Sequence, residues 1–599
     1  MRTLILCFLL SACFSLASDQ QQSDVHKETI VVTGAYEPLP LEEAERRVFV
    51  RQLRGDNALV SNTVIDFLNL DPSVDLRQRG PNNIQTDVSI RGSTFGQTLV
   101  LLNGLRLNDV QSGHHNMNIP VPIDAVERVE VLKGSGSTLY GSDAVGGVVH
   151  FIARPPEASE FRLRGALGNF GVNQQRVSTA YVRHGFSQQL AAWRDFSSGF
   201  IPNRDYRNSA LSSTTNFRSA LGATEILLAA ADRPFGADRF YGNFDSWERT
   251  KTWYAGARQG LGERTSVNFM FRRHTDLFVL YRYRPEVFTN RHATESYQGS
   301  LRRWDPLGGN GKLHYGAEVF HDSIVSTNLG IHDRARTAGY VAYDLRALRR
   351  FSLNLGARHE VYGSLNGEFS PTASLGAWLS QRWKLRASVS RAFRLPTFTD
   401  LYYRDPANIG SPDLRPESAV TYEGGVDFFA AADVRVEVTM FHRRERDGID
   451  FVRTSPTDLW RATNFQSLRF TGVEAGVSAR IERRHLLDFR YTGLHGAQDH
   501  LSGVQSRYTF NYPSHYGIAS WQAALARGWI ARARVACIQR YARDPYTLVD
   551  WYAARARGRL RPFLQLTNIG NSAYEEIFGV PMPGRGIVGG MELVVYTGR

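Results

Sequence analysis

Trp383-Lys384-Leu385-Arg386-Ala387-Ser388-Val389-Ser390 alternates apolar and polar side chains without a break. Successive side chains of a strand point to opposite faces, so this stretch reads as a strand with one apolar face and one wet face. The same period recurs elsewhere. Phe351, Leu353 and Leu355 oppose Ser352, Asn354 and Arg358, with Gly356 between, and Val434, Val436, Val438 and Met440 oppose Arg435, Glu437 and Thr439. From about Glu157 onward such segments follow one another, some separated by turn signals such as Gly309-Asn310-Gly311 and Asp447-Gly448. One such strand suits any half-buried sheet. Dozens need an arrangement that hides every strand edge, and in lipid only a closed barrel does so.

Composition agrees. The 599 residues are 42% hydrophobic and 12% aromatic with 53 glycines, yet after the first twenty positions no apolar run approaches the roughly 18 residues of a membrane-spanning helix. A tilted strand of about 10 residues crosses the outer membrane. Residues 158–599 would therefore give 22 strands about 20 residues each, half of it for loops, which permits that number without fixing it. The segment from about Lys27 to Pro156 reads differently, as a compact α/β unit. Asn62 precedes Val64, Ile65, Phe67 and Leu68 and predicts a short capped helix closed by Asp71-Pro72, while Leu99 to Leu102 predicts a buried strand turned at Asn103-Gly104. A wide barrel would leave a hole in the membrane, and this unit is a natural stopper. The expected fold is an all-β transmembrane barrel of 22 antiparallel strands with an N-terminal α/β plug domain inside the lumen.

The first residues predict an export signal: Arg2, the apolar run Leu4 to Leu10, and a small-residue cleavage site at Ser15-Leu16-Ala17. Leu10-Ser11-Ala12-Cys13 offers the alternative of a lipoprotein processing box. Cleavage after Ala17 would remove Cys7 and Cys13 and leave Cys537 alone, without a disulfide framework. The net charge of +13 comes from arginine, with only five lysines. Arginines spaced singly along alternating strands suit a wet lumen or lipid phosphates better than nucleic acid, whose footprint is clustered. No His-Glu-x-x-His, Gly-x-Ser-x-Gly or phosphate loop is present, so the chain is not expected to be an enzyme.

Four groups of residues carry a family resemblance. Glu28-Thr29-Ile30-Val31-Val32-Thr33 is a short β-prone stretch beside a polar tail, able to add as a strand to a partner sheet. Then come Ser89-Ile90-Arg91-Gly92, Leu101-Leu102-Asn103-Gly104, Ile123 to Gly134 with Glu127, Arg128 and Glu130, Leu139-Tyr140-Gly141 and Ala144 to Val149. Further on stand Arg391 to Thr397, Asp400-Leu401-Tyr402, Leu414 to Glu417 and Glu423-Gly424-Gly425. Leu566-Thr567-Asn568-Ile569, Tyr574 and Pro583-Gly584-Arg585 complete the order. The sequence resembles the TonB-dependent receptor family over nearly its whole mature length, and most closely the cobalamin receptor branch through Gly141 to Gly147 and Asn103 to Asn108. One departure is the terminus, where Tyr596 is followed by Thr597-Gly598-Arg599 although family members commonly end on an aromatic residue.

The resemblance implies a signal peptide at 1–17, a periplasmic tail with the TonB box at 18–34, a plug at 35–156 and a barrel at 157–599. It implies active import across the bacterial outer membrane by a monomer. Its partners would be TonB with its energising complex, ExbB and ExbD, and the surrounding outer-membrane lipids and lipopolysaccharide. The solute would be scarce and bulky, cobalamin before a ferric siderophore or haem; a passive porin or surface-binding protein is the alternative from another class. The polar insert Ser112 to Asn118, with His114, His115, Asn116, Met117 and Asn118, is the expected ligand-facing plug segment, because His, Asn and Met can hydrogen-bond, coordinate a metal or rest against a large ring. Phe235 to Tyr241, with Phe240 and Tyr241, is expected in an outer loop. Arg91, Gly92, Asn103, Gly104, Glu127, Arg128, Glu130, Tyr140 and Gly141 are expected to be plug framework, with Glu127, Arg128 and Glu130 paired to charges on the wall. The aspartate-rich calcium loops of cobalamin receptors have no counterpart, and neither a cofactor nor a resident metal is expected.

Overall fold

A computed structural model describes residues 30–596, apart from 32, 348–349, 364–365, 432, 466 and 499–504. The export signal, Cys7, Cys13, and Glu28, Thr29 and Val32 of the N-terminal box lie outside the described residues. Twenty-two antiparallel strands form one closed barrel, which shuts where Glu160–Gly168 pairs with Gly586–Tyr596. No edge is left in the lipid, as backbone polar groups in hydrocarbon demand.

The alternation read in sequence becomes the two faces of the wall. Trp383, Leu385 and Val389 are 45%, 38% and 40% exposed, whereas Lys384 and Arg386 are 1% and 5% exposed. The apolar set faces the lipid, and the charged set faces the lumen. One rim carries tight turns such as His184-Gly185, and the other carries the long connections 395–416, 447–467 and 499–512. Short turns mark the periplasmic rim and long loops the outer one. The long loops contribute the helix Phe398–Tyr402 and a four-stranded sheet of Asn408–Ile409, Trp460–Phe465, Gly448–Arg453 and Gln505–Ser506. Gly309-Asn310 joins neighbouring wall strands as expected. Asp447-Gly448 does not: Val434–Arg446 ends there, and the chain leaves the wall to enter the outer-rim sheet.

Inside the barrel lies the plug. Its sheet runs in the order Val48–Gln52, Val126–Lys133, Gly147–Ala153, Thr98–Leu102 and Leu105–Arg106, beside a separate hairpin of Val74–Gly80 and Ile84–Ile90. Val126, Val129 and Val131 are fully buried in its apolar core. The helices are single turns, Asp56–Leu59, Ile65–Leu68 and Ser137–Tyr140. Asn62 does not cap the second of them. Instead Asp66 reaches back and accepts from the backbone N–H of Asn62 at 2.6 Å and of Thr63 at 3.2 Å.

Two unlike contacts seat the plug. On one side Ala191, Leu227, Ala229, Tyr254 and Met270 of the wall merge with the plug's own apolar core. On the other side the contact is ionic. Arg91 donates from Nε to Glu474 at 2.7 Å and also binds Glu423, while Lys133 holds Asp71 at 2.9 Å and Glu474 at 3.2 Å. Burial opposes the charge on Arg91, but the two glutamates more than offset it and raise its pKa. Burial also pulls the Lys133 ammonium below its ordinary range although Asp71 and Glu474 favour the charge. Gly92, at φ 73°, makes this approach possible, since a Cβ there would stand 2.6 Å from Leu494 of the wall.

Candidate functional site

The site has two ends, one at each face of the plug. At the periplasmic end, Ile30–Val31 pairs antiparallel with Leu39–Pro40. Thr33 is then drawn into the main plug sheet. Its backbone N–H donates to Glu130 Oε2 at 2.7 Å, and its hydroxyl lies 2.8 Å from His150 Nδ1. The other ring nitrogen of His150 accepts from the Gly104 N–H at 2.7 Å, so Nδ1 carries the proton and donates to Thr33. Burial, with Arg128, Arg154 and Arg302 nearby, pushes the His150 pKa down to about 3, which keeps the imidazole neutral.

The framework residues hold this arrangement from within. Arg128 donates to Glu130 at 2.8 Å and lies 3.1 Å from Glu127, which itself lies 3.9 Å from Arg154. These three charges therefore pair inside the plug and its exit strand, not with the wall as expected. Burial makes such pairing necessary, because a charge removed from water without a partner is costly. Asn103, at φ 50°, ties the turn by accepting from the Ala153 N–H at 2.7 Å and donating to its carbonyl at 2.9 Å. Gly104 follows it at φ 80° and supplies the N–H that fixes His150. Tyr140 is buried, and Gly141, at φ 78°, lies against Arg358 and Glu360 of the wall where a side chain would collide.

At the outer end the insert begins with the single turn Gly113–His115, in which Ser112 accepts from the His114 N–H. His114 stacks on Phe95 at 4.2 Å between ring centroids and meets Tyr508 of an outer loop edge-on at 5.8 Å. Its Nδ1 lies 2.8 Å from Asp87, whose carboxylate also binds Arg79 at 3.0 Å. Burial lowers the His114 pKa, against the pull of Asp87, so the ring donates as a neutral imidazole.

The rest of the insert does not form a solvated loop. His115, Asn116, Met117 and Asn118 are all buried, and Met117 belongs to the plug core. Asn116 accepts from the Asp109 N–H at 2.9 Å and Asn118 donates to His274 of the wall at 3.2 Å. His115 Nε2 lies 3.4 Å from Asp276 of the wall. Burial opposes its protonation, yet the hydrogen bond to Asp276 and the negative charge of Asp276, Glu248 and Asp109 raise its pKa to about 9.

Phe235 to Asp238 also depart from expectation, because the strand Gly222–Asp238 carries them up the wall before the loop begins. Phe240 is buried against Ile84 of the plug, Tyr206 and Phe235, and Tyr241 donates to Glu248 at 2.7 Å. Phe240 thus ties the loop to the plug, and Tyr241 joins wall and plug by also accepting from the Gln85 amide. Phe95, Asp87, Tyr508 and His150 escaped the sequence reading. Only His150 carried a local signal, as a single polar residue within the apolar run Val148 to Ile152.

A lipid-facing barrel filled by a folded plug, with an N-terminal strand at one face and a polar-aromatic apex at the other, defines an outer-membrane receptor. The family of "TonB dependent receptor-like, beta-barrel" proteins matches residues 160–569, and the "TonB-dependent Receptor Plug Domain" matches residues 50–148. The chain belongs to the TonB-dependent receptor family and lies in the outer membrane. Such receptors are transport proteins and not enzymes. An iron-regulated outer membrane virulence protein of Vibrio cholerae serotype O1 (strain ATCC 39541 / Classical Ogawa 395 / O395) is 24% identical over 86% of this chain and 85% of its own. The vitamin B12 transporter BtuB of Vibrio vulnificus (strain YJ016) is 22% identical over 69% of each chain. Among solved structures, the FrpB iron transporter from Neisseria meningitidis (F5-1 variant) superposes with a TM-score of 0.77 at 14% identity, covering 91% of this chain and 99% of that one.

Proposed function

We propose that this receptor imports a scarce, bulky, ring-bearing solute, cobalamin-class before any other, in cycles driven by TonB with ExbB and ExbD. The observation that carries the proposal is the plug's own continuity. The same sheet that holds Thr33 through Glu130 and His150 also includes Thr98–Leu102, which follows directly on the turn Phe95–Gln97 under the aromatic apex. A pull on the segment Glu28 to Thr33 therefore acts on the element that supports Phe95 and His114. A partner strand added at Ile30–Val31 would compete with the Leu39–Pro40 pairing and draw Thr33 from its seat.

Flat rings suit the apex. Phe95, His114 and Tyr508 offer aromatic faces and edges, and stacking on such surfaces favours large conjugated or macrocyclic solutes. The likeness to vitamin B12 transporters supports the same reading. A ferric chelate is the second reading, favoured by the iron-regulated relative, whose match spans more of the chain. The belt of apolar side chains around the wall supports a seat among outer-membrane lipids and lipopolysaccharide.

Two measurements test the proposal. Deleting Glu28 to Thr33 is expected to abolish uptake and leave surface binding intact; uptake that persists would make the protein a passive pore. A titration of the purified receptor with cobalamin, ferric siderophores and haem is expected to give the tightest binding with cobalamin. A tighter ferric siderophore or haem would replace the cobalamin reading with the second.

A further inference from the structure

Where the insert meets the wall, His115, Glu248 and Asp276 converge, with one donor atom from each lying within 4.8 Å of the others. All three are enclosed, at 4%, 1% and 6% exposure. Each carboxylate is held by one oxygen. Glu248 Oε2 accepts from the Tyr241 hydroxyl at 2.7 Å, and Asp276 Oδ2 accepts from the Gln111 amide at 2.8 Å. The remaining oxygens, Glu248 Oε1 and Asp276 Oδ1, are buried and accept no hydrogen bond. A buried carboxylate oxygen without a partner is costly and calls for one.

We propose that His115, Glu248 and Asp276 bind a divalent transition-metal ion of the zinc class, which fastens the outer insert of the plug to the barrel wall. One imidazole and two carboxylates form a donor set of the kind zinc takes, with a fourth position left for water. Calcium and magnesium fit poorly, since they seek six or more oxygen donors. Tyr241 and Gln111 supply the outer contacts that orient ligating carboxylates. Tetrahedral ligation at the usual zinc distances brings ligand atoms to about 3.3 Å of one another, so the three side chains close by an ångström or so on binding. The alternative state of the same pocket is a protonated His115 held between the two carboxylates, with no ion. The residues lie far apart in sequence and on three elements, which is why His115 stood out in the sequence and its two carboxylate neighbours did not.

The test uses full-length receptor in detergent, without an affinity tag of histidines, stripped with a chelator and titrated with Zn²⁺ and then Co²⁺. Expected is one tightly held ion per chain, the visible absorption of four-coordinate Co²⁺, and a higher melting temperature with Zn²⁺. All three signals should be lost in His115→Ala and in the near-isosteric double variant Glu248→Gln with Asp276→Asn. Anomalous migration on unheated gels confirms that each variant is folded. A stripped wild type that takes up no ion overturns the site and leaves the protonated pocket. An ion held equally by wild type and variants assigns the binding elsewhere and also overturns it. Cobalamin and siderophore binding measured on the same stripped protein reports the cargo reading independently.

Discussion

The plug meets the barrel through two walls of opposite character. Strands from Phe186–Ser197 to Thr265–Val279 offer Ala191, Leu227, Ala229, Tyr254 and Met270 to its apolar core, with Arg272, paired to Asp109 at 2.8 Å, as a charged contact beside them. Across the lumen, strands from Glu417–Ala431 to His485–Gln498 offer Glu423, Glu437, Glu474 and Asp488 to Arg91, Arg47, Lys133 and Arg51. Apolar packing is favourable only while water stays out, and it is lost with every ångström of separation. Ion pairs exchange partners with water at little net change in free energy. Removing one partner, however, strands the other charge without water, so single truncations should find the stronger anchor on the charged side.

Removing single groups probes the contrast. Arg91→Ala leaves Glu423 and Glu474 facing each other in a buried seam, which should cost about 3–5 kcal/mol, against far less for a swap of the whole set for apolar groups. Urea titration followed by hydrogen exchange in Val126–Lys133 checks it; plug protection that survives to wild-type urea concentrations would show that the charges are already hydrated. Leu227→Ala on the opposite wall should cost near the lower end of about 2–5 kcal/mol, because the plug can settle into the space. If it costs more than Arg91→Ala in the same titration, the assignment of the stronger anchor to the charged side is wrong.

How much of this was legible depends on range. The wall strands announced themselves because lipid and lumen impose a period of two on each, so Trp383 to Ser390 could be read from eight residues alone. The plug's identity was carried by motifs such as Ser89 to Gly92 and Leu101 to Gly104. Partners were not legible. Glu127, Arg128 and Glu130 looked ready for the wall, but their local geometry closes on Arg154 and Thr33. The polar insert Ser112 to Asn118 was expected to face a ligand, and nothing local reveals that the wall offers His274, Thr250 and Asp276 to receive it. Asp447-Gly448 has the composition of a hairpin turn, and only the strand pairing shows that it redirects the chain into the outer-rim sheet.

His150 tests the contrast from inside the apolar plug. Its folded pKa, about 3, lies below the ordinary value of 6.5. The unfolded chain therefore binds the proton first, and the stability it contributes is present above pH 6.5 and lost as the pH falls toward 3. At pH 5 the loss is about 2 kcal/mol. Because Nε2 accepts from Gly104, only the opened turn can take up the proton above pH 5, so opening beside Thr33 grows easier as the pH falls below 6.5. Exchange of the peptide containing Gly104, corrected for its intrinsic pH dependence, should rise between pH 7 and 5 in the wild type. The rise should vanish in His150→Gln, and an equal rise in both proteins would assign the acid sensitivity to the ion pairs of the seam.

The smallest effect belongs to the apex, where neither wall dominates and His114 is held by Asp87 on one side and stacked on Phe95 on the other. Cargo that rests on this ring uses its face, its N–H, or both, and two variants separate them. His114→Phe keeps the stack and loses the hydrogen bond; His114→Ala loses both. One lost hydrogen bond costs about 0.5–1.5 kcal/mol, or roughly two- to tenfold in affinity. His114→Ala is therefore expected to weaken cargo binding by about that factor, with His114→Phe recovering most of it if the aromatic face makes the contact. Equal affinity in the wild type and both variants would remove His114 from the binding surface and leave the outer loops, with Tyr508 and the sheet around Gly448–Arg453, as the cargo's first contact.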